Sequence, residues 1–295
     1  MKLNSGLIFC LLCFSLGCTQ QKESASSQSI PANTQITTAT SNFNAMRWPS
    51  SSFSGAGISL VVGDDLSNEF APADYISGLS PAEQMQNAWN ESMSSKTFFS
   101  LPASTTSNKE YSDLGDYYDN EFGIYRHSTW FDNVSSSALA ITQFFGIRKN
   151  TGTSSEYLEF VHADIIMNFR DFDFSTDSSD PTTYDIHSVL LHEVGHFLGL
   201  VHQSSTASSV MRPYLDIAGN ERELYSLDKD TISYIYNNFG VSSLESDLDS
   251  GTSITVGAIA RPTVQIERGV IELHADGTCH HYLNNKLQKV HRSSF

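Results

Sequence analysis

The chain has 295 residues, enough for one large domain with an appendage or for two modest domains. Its 17 Lys and Arg stand against 33 Asp and Glu, and the resulting net charge of −16 excludes a polyanion-binding role such as nucleic-acid recognition or electrostatic attachment to anionic lipid. A charged fraction of only 17% suits an exported protein better than a cytosolic one.

Three of the four cysteines, Cys10, Cys13 and Cys18, fall in or just after the apolar run "LIFCLLCFSLGC". That run follows Lys2 and is too short for a permanent bilayer span, so residues 1–18 read as a signal peptide. Its end, "FSLGC", resembles the lipobox of bacterial lipoproteins, with Ser15 where that pattern prefers leucine. The resemblance implies lipidation of Cys18 and a cell-surface or outer-membrane location, with the lipid as the only membrane attachment. A plain secretory cut and a secreted product is the alternative. Residues 19–43 are polar, rich in Ser, Thr and Gln, and lack hydrophobic periodicity, which reads as a flexible tether.

The folded part is expected from residue 44. "GISLVVGDD" (57–65) reads as a strand ended by a turn. In "LSPAEQMQNAWNESMSS", Ser80 is placed to cap a helix, with Pro81 at its first position and Glu83 three residues past the cap. Met85, Ala88, Trp89 and Met93 recur at helical spacing and form its apolar stripe. Strands follow at 121–128, 138–150 and 156–169, the last two joined by the turn "NTG". An acidic loop, "RDFDFSTDSSDPTTYD", leads to a second helix from about Ile186. A third helix, "SLDKDTISYIYNNFG", takes Ser226 as its cap, buries Ile232, Ile235, Tyr236 and Phe239, and ends at Gly240. Residues 241–253 read as an acidic linker, and 254–295 as a small β-rich module, too short to bury much alone and so expected to pack on the main domain.

The second helix carries "HEVGHFLGLVH", residues 192–202. Residues four apart share a helical face, so His192 and His196 can present imidazoles to one point, with Glu193 beside that face. If the helix continued, His202 would lie about 15 Å from His192 along the axis. Gly199 removes the obstacle, because glycine takes the left-handed conformation that ends a helix and turns the chain back. Three neutral imidazoles leave zinc with an open position, the arrangement of a catalytic rather than a structural ion, and no cysteine lies near to close the shell. H-E-x-x-H alone recurs by chance; the added glycine and third histidine at fixed spacing make coincidence rare.

"HEVGHFLGLVH" followed by the methionine of "SSVMRPY" resembles the metzincins, zinc endopeptidases with H-E-x-x-H-x-x-G-x-x-H and a downstream Met-turn. Met211 takes the Met-turn position. Within that clan the chain is most similar to matrixins, on "RWP" before the first strand, the "SPAEQMQNAWNE" helix, the "ADIIMNF" strand, Pro213 two residues after the methionine, and the "LDKDTISYIY" helix. These features cover roughly residues 44–240.

The resemblance implies an α+β catalytic domain: a twisted mixed sheet with two helices above the cleft, a third helix below, and a small β-rich C-terminal appendage. A substrate peptide is expected along an edge strand. It implies one catalytic Zn2+ on His192, His196 and His202, an apolar floor at Met211, and hydrolysis of peptide bonds by a zinc-bound water activated by Glu193. Tyr214 either lines the substrate pocket or packs.

The family's propeptide cysteine has no counterpart between Cys18 and the domain. His127, His162 and His187 lack the spacing of its structural metal sites, and the acidic loop at 171–180 either binds Ca2+ or is simply solvated. Cys279, in "GTCHHY", is either a thiolate latch on zinc or a buried unpaired thiol. The expected activity is therefore a zinc endopeptidase acting on proteins or peptides. A binding or adhesion lipoprotein on the same scaffold, using the C-terminal module, is the alternative; a narrow-specificity peptidase of another metzincin family is the runner-up among enzymes.

Overall fold

The computed structural model describes residues 46–153, 155–203, 207–217, 219–237 and 265–292. The expected signal peptide, Cys18, tether and linker, together with Phe239, Gly240 and the first part of the C-terminal module, lie outside the described residues.

Eleven strands are assigned among the described residues: β1 (Met46–Arg47), β2 (Leu60–Gly63), β3 (Thr105–Thr106), β4 (Phe122–His127), β5 (Ala138–Lys149), β6 (Tyr157–Asn168), β7 (Phe174–Ser175), β8 (Tyr184–Asp185), β9 (Ile266–His274), β10 (Thr278–Leu283) and β11 (Lys286–Arg292). The α-helices are α1 (Asp64–Ser67), α2 (Pro81–Asn90), α3 (Ile186–Phe197) and α4 (Ser226–Asn237). Strand β2 is shorter than its sequence suggests because Asp64 and Asp65 open α1 instead of forming a turn.

One mixed sheet runs in the order β11-β10-β9-β5-β6-β4-β2-β3, with β1 pairing β6. Neighbours from β3 to β6 are parallel; β6 with β5, β5 with β9, and the C-terminal strands with one another are antiparallel. The fold is α+β, and its C-terminal strands extend the main sheet rather than standing beside it. Asn284 and Asn285, both at positive φ, divide the expected run "CHHYLNNKLQKVH" into β10 and β11, since two adjacent left-handed residues make the tight turn of a hairpin.

The long strand β5 is buried on both faces. On one side Ala140 and Phe144 pack with Ile271, Leu273, Trp89 and the apolar residues of α3; on the other Ile141, Ile166 and Val270 pack beneath Leu114, Tyr117, Trp130 and Phe131. Burial on both faces explains why β5 reads as a nearly continuous apolar run instead of an alternating one. Helix α2 is capped as expected: Ser80 Oγ accepts from Glu83 N at 3.4 Å, and Glu83 accepts from Ser80 N at 2.7 Å. Trp89, fully buried, donates from Nε1 to Leu191 O at 3.0 Å and so ties α2 to α3.

Candidate metal centre

Every residue of α3 is buried, which suits a helix threaded through the core instead of lying on it. Asp185 caps it by accepting from Ser188 N at 3.0 Å. After Leu198 the chain reverses at Gly199, whose φ is +94°; a Cβ there would stand 2.2 Å from Met46 O, so both the backbone angle and β1's close approach require glycine.

The reversal brings three ring nitrogens together. His192 Nε2 lies 3.0 Å from both His196 Nε2 and His202 Nε2, and the last two are 2.9 Å apart. His192 Nδ1 faces Val210 O at 2.7 Å and His196 Nδ1 faces Leu200 O at 2.8 Å. A carbonyl only accepts, so each Nδ1 carries the proton and each Nε2 presents a lone pair. Burial keeps all three rings neutral, with His192 lowered to about 4 and His196 and His202 lowered well below the ordinary histidine range. Neutral imidazole lone pairs converging at van der Waals distance repel one another unless a cation lies between them, and an all-nitrogen set of this kind suits zinc. The three donors fit that ion.

Met211, fully buried, lies against Gly195, between the two helical histidines in the chain. A Cβ on Gly195 would fall 2.3 Å from Met211 Sδ and 2.9 Å from the Trp89 ring, so the glycine between the ligands makes room for the thioether. The turn bearing Met211 is pinned by Asp228 of α4, which accepts from Ser209 Oγ at 2.5 Å and Val210 N at 3.0 Å, while Ser209 Oγ accepts from Met211 N at 2.9 Å.

Glu193 is fully buried beside the trio. Its Oε2 accepts from Thr142 Oγ1 of β5 at 2.5 Å, whereas Oε1 is buried without a hydrogen-bond partner. Burial pushes this carboxyl up to about 8, against the opposing pull of the Thr142 hydroxyl.

His202 is backed from far away in the chain. His202 Nδ1 lies 2.9 Å from His281 Nε2 of β10, and the His291 ring of β11 stands 5.1 Å from His202 and 4.9 Å from His281. Thr142, Asp228 and His281 were not anticipated as parts of the site. Alternation along "CHHY" does place His281 on the same face as Cys279, but only strand pairing sets that face against α3.

Strand β5 is not an edge of the sheet, which ends in β3 and β11. Strand β9 pairs antiparallel with β5 from Ala138↔His274 to Ile147↔Ile266, and Arg148 grips Glu267 at 2.7 and 2.9 Å. The apolar face of β9 needs a partner, and β5's open backbone supplies one.

The remaining candidates lie elsewhere. Cys279 is fully buried in the core, where burial raises its thiol well above the usual range, and it is not part of the histidine group. Tyr214 is half-buried and donates to the Asp216 carboxylate. His127 accepts from Trp130 N at 2.8 Å, His162 pairs with Asp164 at 2.7 Å, and His187 stands 3.7 Å from Asp185. In the acidic loop Asp177 and Asp180 accept from Ser179 and Thr182 within their own turns, and Asp171 engages Arg170. Among the described residues, no group of three converging donors includes a carboxylate of that loop.

Residues 137–237 match the family model Peptidase_M10, described as Matrixin, a span that holds β5, β6, α3, the chain reversal, Met211 and α4. No curated protein matches the chain. Over that span, which holds the three-histidine geometry, the chain is similar to the matrixins.

Proposed function

We propose that the protein is a zinc-dependent endopeptidase acting on proteins or peptides. The observation that carries this reading is the convergence of three buried imidazole lone pairs beside a buried carboxylate with one unpartnered oxygen. His192, His196 and His202 would hold a zinc ion, which when bound would supply Lewis acidity toward a peptide carbonyl and water. Glu193 takes the proton of the attacking water and returns it to the departing amine. The Thr142 hydroxyl fixes Oε2 and so leaves Oε1 to exchange that proton. The carbonyls of Val210 and Leu200 hold the His192 and His196 rings in the orientation this requires.

Replacing Glu193→Gln should lower cleavage of a fluorogenic peptide library by about 10²–10⁴-fold while zinc content stays the same. Unchanged chelator-sensitive cleavage would remove Glu193 from the mechanism. Absence of any chelator-sensitive cleavage by the wild-type protein would favour the binding-lipoprotein alternative.

The same reading makes the arrangement with β9 on β5 a closed one. An extended peptide that adds to β5 needs the backbone groups β9 already uses, so β9 must leave before a substrate strand can enter. The lipobox-like "FSLGC" supports attachment through Cys18 as part of this proposal, placing the domain at the cell surface. Cells fed a palmitate analogue should label the wild-type chain and not Cys18→Ala; a label that survives the substitution rules the anchor out.

A further inference from the structure

Resting on that reading of the metal, the positions of the ligand Nδ1 atoms point to a role for the C-terminal strands that goes beyond covering β5. His192 and His196 are each backed by a carbonyl from the turn just after α3, Val210 O at 2.7 Å and Leu200 O at 2.8 Å. For His202 the partner is a side chain 79 positions away, His281 Nε2 at 2.9 Å. For His202 Nε2 to present a lone pair, its Nδ1 must carry the proton, so His202 donates and His281 accepts.

The placement of His281 is built into the sheet. In β10 it shares a face with Cys279 and Leu283, both in the core beneath the sheet, and it stands opposite Ile271 of β9 and Lys289 of β11. Its ring is buried, and the His291 ring packs against it at 4.9 Å between centroids. Three buried or half-buried histidines from three separate elements meet here, and the one nearest α3 belongs to the metal trio.

We propose that His281 is a positioning residue of the metal centre, which makes β9–β11 one of its structural components. The His281 acceptor fixes the tautomer and ring plane of the third ligand, as the carbonyls do for the first two. Because binding energies are reciprocal, zinc on His202 also strengthens the seat of β10, so loading the metal and docking the C-terminal strands assist each other.

The test compares His281→Leu, which keeps the volume and removes the acceptor, with His281→Gln, whose amide oxygen can reach the same position. Zinc affinity is measured by competition with a chromophoric chelator, and amide exchange of β9 and β10 is followed with and without zinc. The proposal expects affinity about 10–100-fold weaker in the Leu variant, largely recovered in the Gln variant. It also expects zinc to slow β10 exchange in the wild-type protein and not in His281→Leu. Wild-type affinity in the Leu variant, equal weakening in both variants, or wild-type β10 exchange indifferent to zinc would each overturn it. A wild-type chain that takes up no zinc would instead overturn the reading of the metal centre on which the proposal rests. Where a variant fails to fold, the zinc dependence of wild-type β10 exchange still supports or overturns the proposal.

Discussion

The helix-and-turn region from α3 to Met211 and the C-terminal strands β9–β11 both contribute histidines to one cluster, but they reach it by different physics. In the first region the spacing of the chain does most of the work. Helical repeat aligns His192 with His196, a left-handed glycine returns His202, and two carbonyls of the following turn orient the rings. In the second region nothing local aims His281 at His202. Its position follows from β9 pairing with β5 across more than a hundred residues, from β10 pairing with β9, and from which face of β10 then meets α3. The first region is consequently tied to its own backbone, while the second is tied to the site through the sheet.

The sharpest way to break that comparison is a matched pair of glycine substitutions. Gly199→Ala forces a Cβ onto Met46 O at a φ of +94°, and it should destabilise the metal-free protein by about 3 kcal/mol, read by denaturant unfolding, with loss of zinc binding. Gly269→Val pushes its side chain into the Phe144 ring, which a Cβ already meets at 2.0 Å, and loosens β9 from β5. Its cost should be smaller, about 1–2 kcal/mol, and at saturating zinc its peptide cleavage should rise above wild type because the edge of β5 is freed. If cleavage by Gly269→Val falls in step with its stability, the closed-edge reading is wrong.

A pH series tests what the two regions share, a set of histidines kept neutral by burial. His192 and His291 are lowered to about 4, and His196, His202 and His281 are lowered as well. Between the ordinary histidine value and about pH 4 the unfolded chain binds protons that the folded, metal-free chain refuses, so stability falls as pH falls through that window. Denaturant midpoints from pH 7 down to pH 4 should drop steeply, and replacing His291→Asn should flatten the slope. A flat profile would mean that the cluster is open to water.

The convergence of the three histidines was legible because it depends on short-range rules. The capping box at Ser80 and Glu83, the i, i+4 pair on α3 and the glycine after it all act within one or two turns of chain. The positions that hold the set in place were not legible in the same way. Thr142 touches Glu193 only because β5 crosses over α3, and Asp228 holds the Met211 turn only because α4 returns beneath it. Gly195 reads as a neutral spacer between two ligands until the fold sets Met211 Sδ against it.

The sequence by itself determined the chemistry on offer: three imidazoles, a carboxylate and a methionine at spacings that helix geometry and one glycine translate into a shared point. The tertiary structure alone decided that β5 is flanked by β9 and that the third imidazole leans on His281. The reason is that strand pairing is governed by complementary backbone groups and apolar faces, which many segments offer equally, so the partner of β5 emerges only when the whole sheet has assembled.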